Sequence, residues 1–264
     1  MRLSFGLAAL MVCVFVACQK EPDDSLVTPP VNNCKLDLIY YYGDDPVPVD
    51  TVNFEYNGNQ VSMVDYHDYY TELTYTGDRI SRRNYYVPGM PDVAAFDEFT
   101  YNGDGTLSRV DFYIADQNLP TPVLLFRYTF SYQGGRLTQF TTSIDTSGTG
   151  PVPYLEYYYT YTGQNISEAF EVDLFNSTLD TLYYTYDANA NYYQKVPALW
   201  LTDNLFTDFD GFLLPMALSA NNVISIADRD GNSSAFTYTT TANDNIETLR
   251  FDGELVARYL YKCQ

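Results

Sequence analysis

The sequence predicts an all-β fold, an antiparallel meander of repeated β-hairpins. Three observations carry that prediction. A hairpin-sized motif recurs along the chain, glycine-containing polar turns separate alternating runs, and tyrosine is abundant. Of 264 residues, 27 are Tyr, 16 Phe and 1 Trp. Tyrosine favours strands because its apolar body packs on a pleated face while its hydroxyl reaches a polar partner. Hydrophobic residues make up 46% of the chain, enough for a substantial core.

The motif reads aromatic, any, Tyr, any, Gly, two polar residues, aliphatic, Ser or Thr. Its first copy runs from Phe54 to Ser62 (FEYNGNQVS), and the second from Leu73 to Ser81 (LTYTGDRIS). Phe99 to Ser108 (FTYNGDGTLS) carries one extra residue; Phe130 to Thr138 (FSYQGGRLT) and Tyr159 to Ser167 (YTYTGQNIS) follow. Looser copies begin at Tyr184 and Phe236. Residues two apart share a strand face, so Phe54 and Tyr56, or Phe99 and Tyr101, point the same way. The polar residues then reverse the chain, with glycine supplying the backbone conformation that short hairpin loops need. Consecutive hairpins make a meander.

The repeat spacing breaks between Tyr186 and Tyr238. An insert at about residues 195–220 holds the only tryptophan, Trp200, and places Leu201, Leu205 and Phe209 at helical spacing. A small irregular or helical segment is expected there, its apolar residues covering one face or end of the sheet.

The stretch Arg127 to Thr138 (RYTFSYQGGRLT) resembles the YD repeat of RHS-type proteins. From about residue 50 to 262 the chain resembles a Bacteroidetes family of surface lipoproteins with degenerate YD repeats and no assigned function. The Tyr-Asp pair itself survives only at Tyr186-Asp187. RHS proteins wind many more copies into a closed shell around a toxin, and this chain is too short for that. The expected form is an open or partly curled sheet.

The N-terminus reads as an address. Arg2 precedes an apolar run from Leu3 to Ala17, shorter than the roughly 20 residues that span a bilayer. The run closes with Phe15-Val16-Ala17-Cys18, which resembles a bacterial lipobox. Gln19 to Asp24 (QKEPDD) resembles the acidic export signal behind the lipidated cysteine of Bacteroidetes surface lipoproteins. The expected organisation is a lipoprotein signal peptide over 1–17, a lipidated tether over 18–33 and a β-domain over 34–264. Cys18 then anchors the protein in outer-membrane lipid, facing the exterior.

Cys34 precedes the first strand-like run and Cys263 ends the last. In an oxidising envelope they form either a disulfide joining the ends of the domain or two buried thiols.

Formal net charge is −20, which repels phosphate backbones and argues against a nucleic-acid partner. His67 is the single histidine, too few for a zinc site or a histidine-based triad without convergent partners. Neither a nucleophile elbow nor a phosphate loop occurs. No catalytic residue, metal or cofactor is expected. Asp228, Asp230 and Asn232 offer oxygen ligands in a calcium-like turn, but Asp-rich turns with glycine are also ordinary hairpin chemistry. Tyrosine pairs such as Tyr85-Tyr86 and Tyr157-Tyr158 put one ring on each strand face. With Trp200 they are the candidate ligand surface. The expected function is non-enzymatic recognition of a glycan or protein by an envelope lipoprotein. A structural accessory subunit of an outer-membrane complex is the alternative. A carbohydrate-active hydrolase, which needs only two carboxylates, is the least favoured.

Overall fold

The computed structural model describes residues 34–43, 46–115, 121–146, 148–195 and 211–263. Cys18 and the signal and tether segments lie outside these residues. So do Trp200, Leu201, Leu205 and Phe209.

Sixteen strands run in chain order. The first eight are β1 (Cys34–Tyr42), β2 (Pro48–Asn57), β3 (Gln60–Asp65), β4 (Tyr70–Thr76), β5 (Arg79–Tyr86), β6 (Ala95–Tyr101), β7 (Leu107–Ile114) and β8 (Val123–Gln133). Next come β9 (Arg136–Ile144), β10 (Val152–Thr162), β11 (Asn165–Asp173) and β12 (Thr178–Ala190). Two short helices follow, α1 (Tyr192–Lys195) and α2 (Leu214–Leu218). The last strands are β13 (Asn221–Asp228), β14 (Ser233–Thr240), β15 (Ile246–Phe251) and β16 (Glu254–Cys263). Each strand pairs antiparallel with its neighbours in sequence, as the repeats predict. The sheet does not stay open, however. β1 also pairs with β16, so the meander closes into a barrel. Closure removes both sheet edges, whose unpaired backbone groups would otherwise template aggregation. Cys34 faces Cys263 across this seam, and their sulfurs form a disulfide between residues 229 apart in sequence.

The motif has a structural reason at every position. Its aromatic and aliphatic residues point inward, and Phe54, Val61, Leu137 and Ile166 are buried. Its glycine takes positive φ at Gly58, Gly77 and Gly163, each the first residue of a two-residue loop, the position a type II′ hairpin reserves for glycine. Its Ser or Thr is a β-bulge. Thr74 faces Arg82 while Tyr75 faces Ile80, leaving Ser81 as the extra residue. Ser62, Ser108, Thr138 and Ser167 are extra in the same way. The bulge hydroxyl donates back across the hairpin, from Ser81 to the Thr74 carbonyl (3.2 Å) and from Ser108 to the Thr100 carbonyl (3.0 Å).

The motif tyrosine ties one hairpin to the one before it. Its ring points inward and its hydroxyl donates to a backbone carbonyl on the preceding strand. Tyr56 reaches Leu36 (2.7 Å), Tyr75 Val61 (2.8 Å), Tyr101 Ile80 (3.0 Å) and Tyr161 Leu137 (2.9 Å). Tyr186 bonds Ile166, and Tyr238 bonds Val223 (2.9 Å). In the middle copies the acceptor belongs to the aliphatic residue of the previous motif, so the repeats interlock head to tail. Burial pushes the phenols of Tyr56, Tyr75, Tyr101, Tyr161 and Tyr186 above their usual range, Tyr75 up to about 12, so they remain donors at neutral pH.

The described residues 211–218 of the insert between β12 and β13 pack into the barrel core. Its described helices are single turns. Leu214, Met216 and Ala217 of α2 are buried in the core shared with β11 and β13. Tyr159 donates to the Gly211 carbonyl (2.9 Å) and Tyr184 to the Phe212 carbonyl (2.7 Å). A side chain at Gly211 would sit 2.2 Å from the Tyr157 ring, so this close approach requires glycine.

Tyr161→Phe removes the hydroxyl and strands the Leu137 carbonyl. It should cost about 1–2 kcal/mol of stability in urea denaturation. Tyr158→Phe, on the outer face of the same strand, should change stability by less than about 0.5 kcal/mol. Equal effects would show that the inter-hairpin bond contributes nothing.

Candidate functional site

Strand parity sets two unlike faces. The inner face of β10 carries Leu155, Tyr157, Tyr159 and Tyr161, and its outer face Glu156, Tyr158 and Thr160. The same holds around the barrel. Outer positions include the exposed Glu55, Glu72, Glu98, Arg250 and Arg258, whereas inner positions hold the apolar core.

Aromatic rings form a continuous chain along the inner wall. Tyr66 stacks on Tyr69 (4.6 Å between centroids), which neighbours Tyr85 (6.2 Å). Tyr85 meets Phe112 edge-on (5.9 Å), and Phe112 leads to Phe126 (6.2 Å) and then Tyr128 (6.2 Å). From Tyr128 the chain continues through Phe140 and Tyr157 to Phe212 of the insert.

At the end opposite the motif turns, the rings line an open cavity of about 440 Å³. Its walls are Tyr69, Tyr85, Phe112, Phe126 and Tyr128, with Val87, Ala94 and Ala95 completing the apolar lining. Among the described residues, Asp68 is the one charged residue in the wall. The size falls within the roughly 300–1,000 Å³ of small-molecule sites.

A buried ion pair lies directly behind Tyr85. Arg83 and Asp97 are register partners on β5 and β6, each 1% exposed. Arg83 Nε donates to Asp97 Oδ2 (2.8 Å), and the Tyr85 hydroxyl donates to the same oxygen (2.7 Å). Asp97 Oδ1 has no hydrogen-bond donor among the described residues. Burial pushes the Asp97 carboxyl up, and Arg83 and the two donated hydrogen bonds oppose that shift. Burial also drives the Tyr85 phenol well above its usual value, with Arg83 opposing, so Tyr85 acts as a donor here.

The two ends of the barrel differ in charge. Among the described residues, the turns at the cavity end hold Asp68, Asp92, Asp145, Asp230 and Asp252 against one basic residue, Arg229. Adjoining strand ends add Asp65, Asp173, Asp228 and Glu254, and the cation Arg250, which donates to the Gly253 carbonyl (3.0 Å). At the motif-turn end, Asp78, Asp104 and Asp244 are balanced by Lys35, Arg79, Arg136 and Lys262.

The sequence candidates separate on this frame. Tyr85 lines the cavity and Tyr157 is buried against the insert, so neither forms an exposed row. Tyr86 stacks on Tyr70 (4.9 Å) on the outer face. Tyr158 is on the outer face too, with its hydroxyl donating to Glu156 (2.6 Å). Asp228 accepts from the Asn232 backbone (2.9 Å) and side chain (2.7 Å), which closes the turn and holds its carboxyl below the usual range. Among the described residues no acidic, His or Cys cluster could hold a metal. The sequence reading missed Arg83 and Asp97. Their signal was Arg83 two residues before the inward Tyr85, a parity that demands a buried carboxylate opposite.

Removing one partner leaves a buried charge alone. Arg83→Met and Asp97→Leu should each destabilise the barrel by about 3–5 kcal/mol, and the double variant should recover most of that loss. Additive losses in denaturant unfolding would show that the two charges are not coupled.

Neither a family model nor a curated protein matches this chain. Solved structures do. A porin-like protein from Bacteroides uniformis ATCC 8492 is similar with a TM-score of 0.54 and 13% identity, over 88% of this chain and 98% of that one. A porin-like protein from Bacteroides vulgatus ATCC 8482 is similar with a TM-score of 0.51 and 13% identity, over 87% and 99% of the two chains. At that identity the likeness is one of fold: this chain shares its all-β barrel architecture with both.

Proposed function

We propose that this protein is a lipid-anchored outer-membrane protein whose barrel stands in water and binds a small, largely apolar ligand in its open end. The observation that carries this reading is the aromatic cavity, open to solvent and backed by a fixed ion pair. Such a site suits the binding and orienting of a ligand.

A bilayer-spanning barrel turns an apolar band outward, and its lumen is polar in porins. Here the pattern is reversed. Glu55, Glu72, Glu98 and Arg258 face outward, and aromatic and aliphatic side chains fill the inside. Charged outward positions in mid-strand are costly in lipid. The membrane attachment is therefore assigned to Cys18. The chain enters the barrel at Cys34, at the motif-turn end, where Lys35, Arg79, Arg136 and Lys262 suit an anionic lipid surface. The YD-like repeats and the lipoprotein family resemblance fit the same assignment.

An accessory-subunit reading draws on one feature, the exposed Phe175 and Leu179 of the β11–β12 hairpin. They offer a contact for a larger partner or a glycan without requiring the cavity.

The mature chain carrying Cys18→Ser should bind the neutral fluorophore N-phenyl-1-naphthylamine with a blue-shifted, enhanced emission. Filling the cavity with Ala95→Phe should weaken binding at least 10-fold, as should Val87→Trp at its mouth. Both variants should keep the parent's circular dichroism. Unchanged affinity in folded variants would overturn the cavity as the site.

A further inference from the structure

The walls and rim of the cavity discriminate by charge. We infer that its ligand is a small organic cation, an apolar or ring-containing body carrying an ammonium group. This deepens the cavity-binding reading and rests on it.

Three observations converge. First, five aromatic rings surround the space, and the faces of Phe and Tyr attract a cation placed within about 6 Å of them. Second, the charged groups nearest the space are acidic or internally neutralised. Asp68 is in the wall. The buried Arg83 behind the wall is committed to Asp97 (2.6 Å). Asp97 sits two residues from the cavity residue Ala95 on the same inner face and still has one oxygen without a donor. Third, the field outside the cavity points the same way. The chain carries a net charge of −20, and its cavity-end turns are almost wholly acidic, whereas the opposite end is balanced. A mouth lined by one sign of charge concentrates ions of the other sign and repels its own. Fatty acids, phosphates and other anions are thereby disfavoured despite the apolar walls.

The test uses three probes with one ring system: N-phenyl-1-naphthylamine, its anionic sulfonate, and its trimethylammonium derivative. They are titrated into the mature Cys18→Ser chain at low salt and at about 0.5 M salt, where screening shortens the reach of the rim charges. The cation should bind at least 10-fold more tightly than the anion at low salt, with the neutral probe between them. The gap should narrow at high salt. Asp68→Asn should weaken the cation about 3-fold and leave the neutral probe unchanged. Ala95→Phe should weaken all three. If the neutral probe binds and Ala95→Phe blocks it, but the anion equals or exceeds the cation, the cation inference is overturned and the cavity reading stands. If no probe binds, or folded Ala95→Phe changes nothing, the cavity reading falls and this inference with it.

Discussion

The hydrogen bond that six of the motif tyrosines donate to a carbonyl of the preceding strand is the constraint on which the barrel depends. Hairpins alone specify only local pairs. A sheet of identical hairpins slips in register unless something fixes each unit to the next. The tyrosine does this on the inner face in six units, Tyr56, Tyr75, Tyr101, Tyr161, Tyr186 and Tyr238. The bulge at the following Ser or Thr adds local twist on each hairpin's return strand. Repeated around the ring, twist and fixed register bring β16 back to β1, and the Cys34–Cys263 disulfide seals that seam.

This explains which parts of the fold were legible. Strand, turn and repeat were written in period-two alternation and in glycine at fixed positions. Closure was not. Whether a meander curls shut depends on twist accumulated over many bulges, and the bulge hides in a motif position that reads as ordinary alternation. The recurring Ser or Thr after the aliphatic residue was the available signal. The direction in which the tyrosine tips point was also hidden, since Tyr85-Tyr86 and Tyr157-Tyr158 look alike in sequence. In the barrel one member of each pair is interior and the other exterior, so an exposed aromatic row gave way to an internal aromatic lining.

A ring of this many strands encloses more space than the strands' own side chains fill, and wide barrels of this kind leave a channel. The chain meets this in two ways. Large inward rings thicken the wall, and the insert after β12 sends Gly211 to Leu218 into the lumen. At the cavity end the rings still leave space, bounded by the same side chains that form the core. Binding is thus built from the material of folding. What distinguishes the site is the charge around it: a neutralised ion pair behind the wall, Asp68 in the wall and carboxylates at the rim.

Everything proposed about function rests on the barrel being apolar within and polar without, held at a membrane but not embedded in it. Flotation of the mature Cys18→Ser chain with lipid vesicles tests this most directly. The account expects the folded chain to remain in the aqueous fraction, with the acylated protein floating with the vesicles. Folding of the Cys18→Ser chain only in the presence of vesicles, followed by its flotation with them, would contradict the account and make the strands themselves the membrane-spanning element.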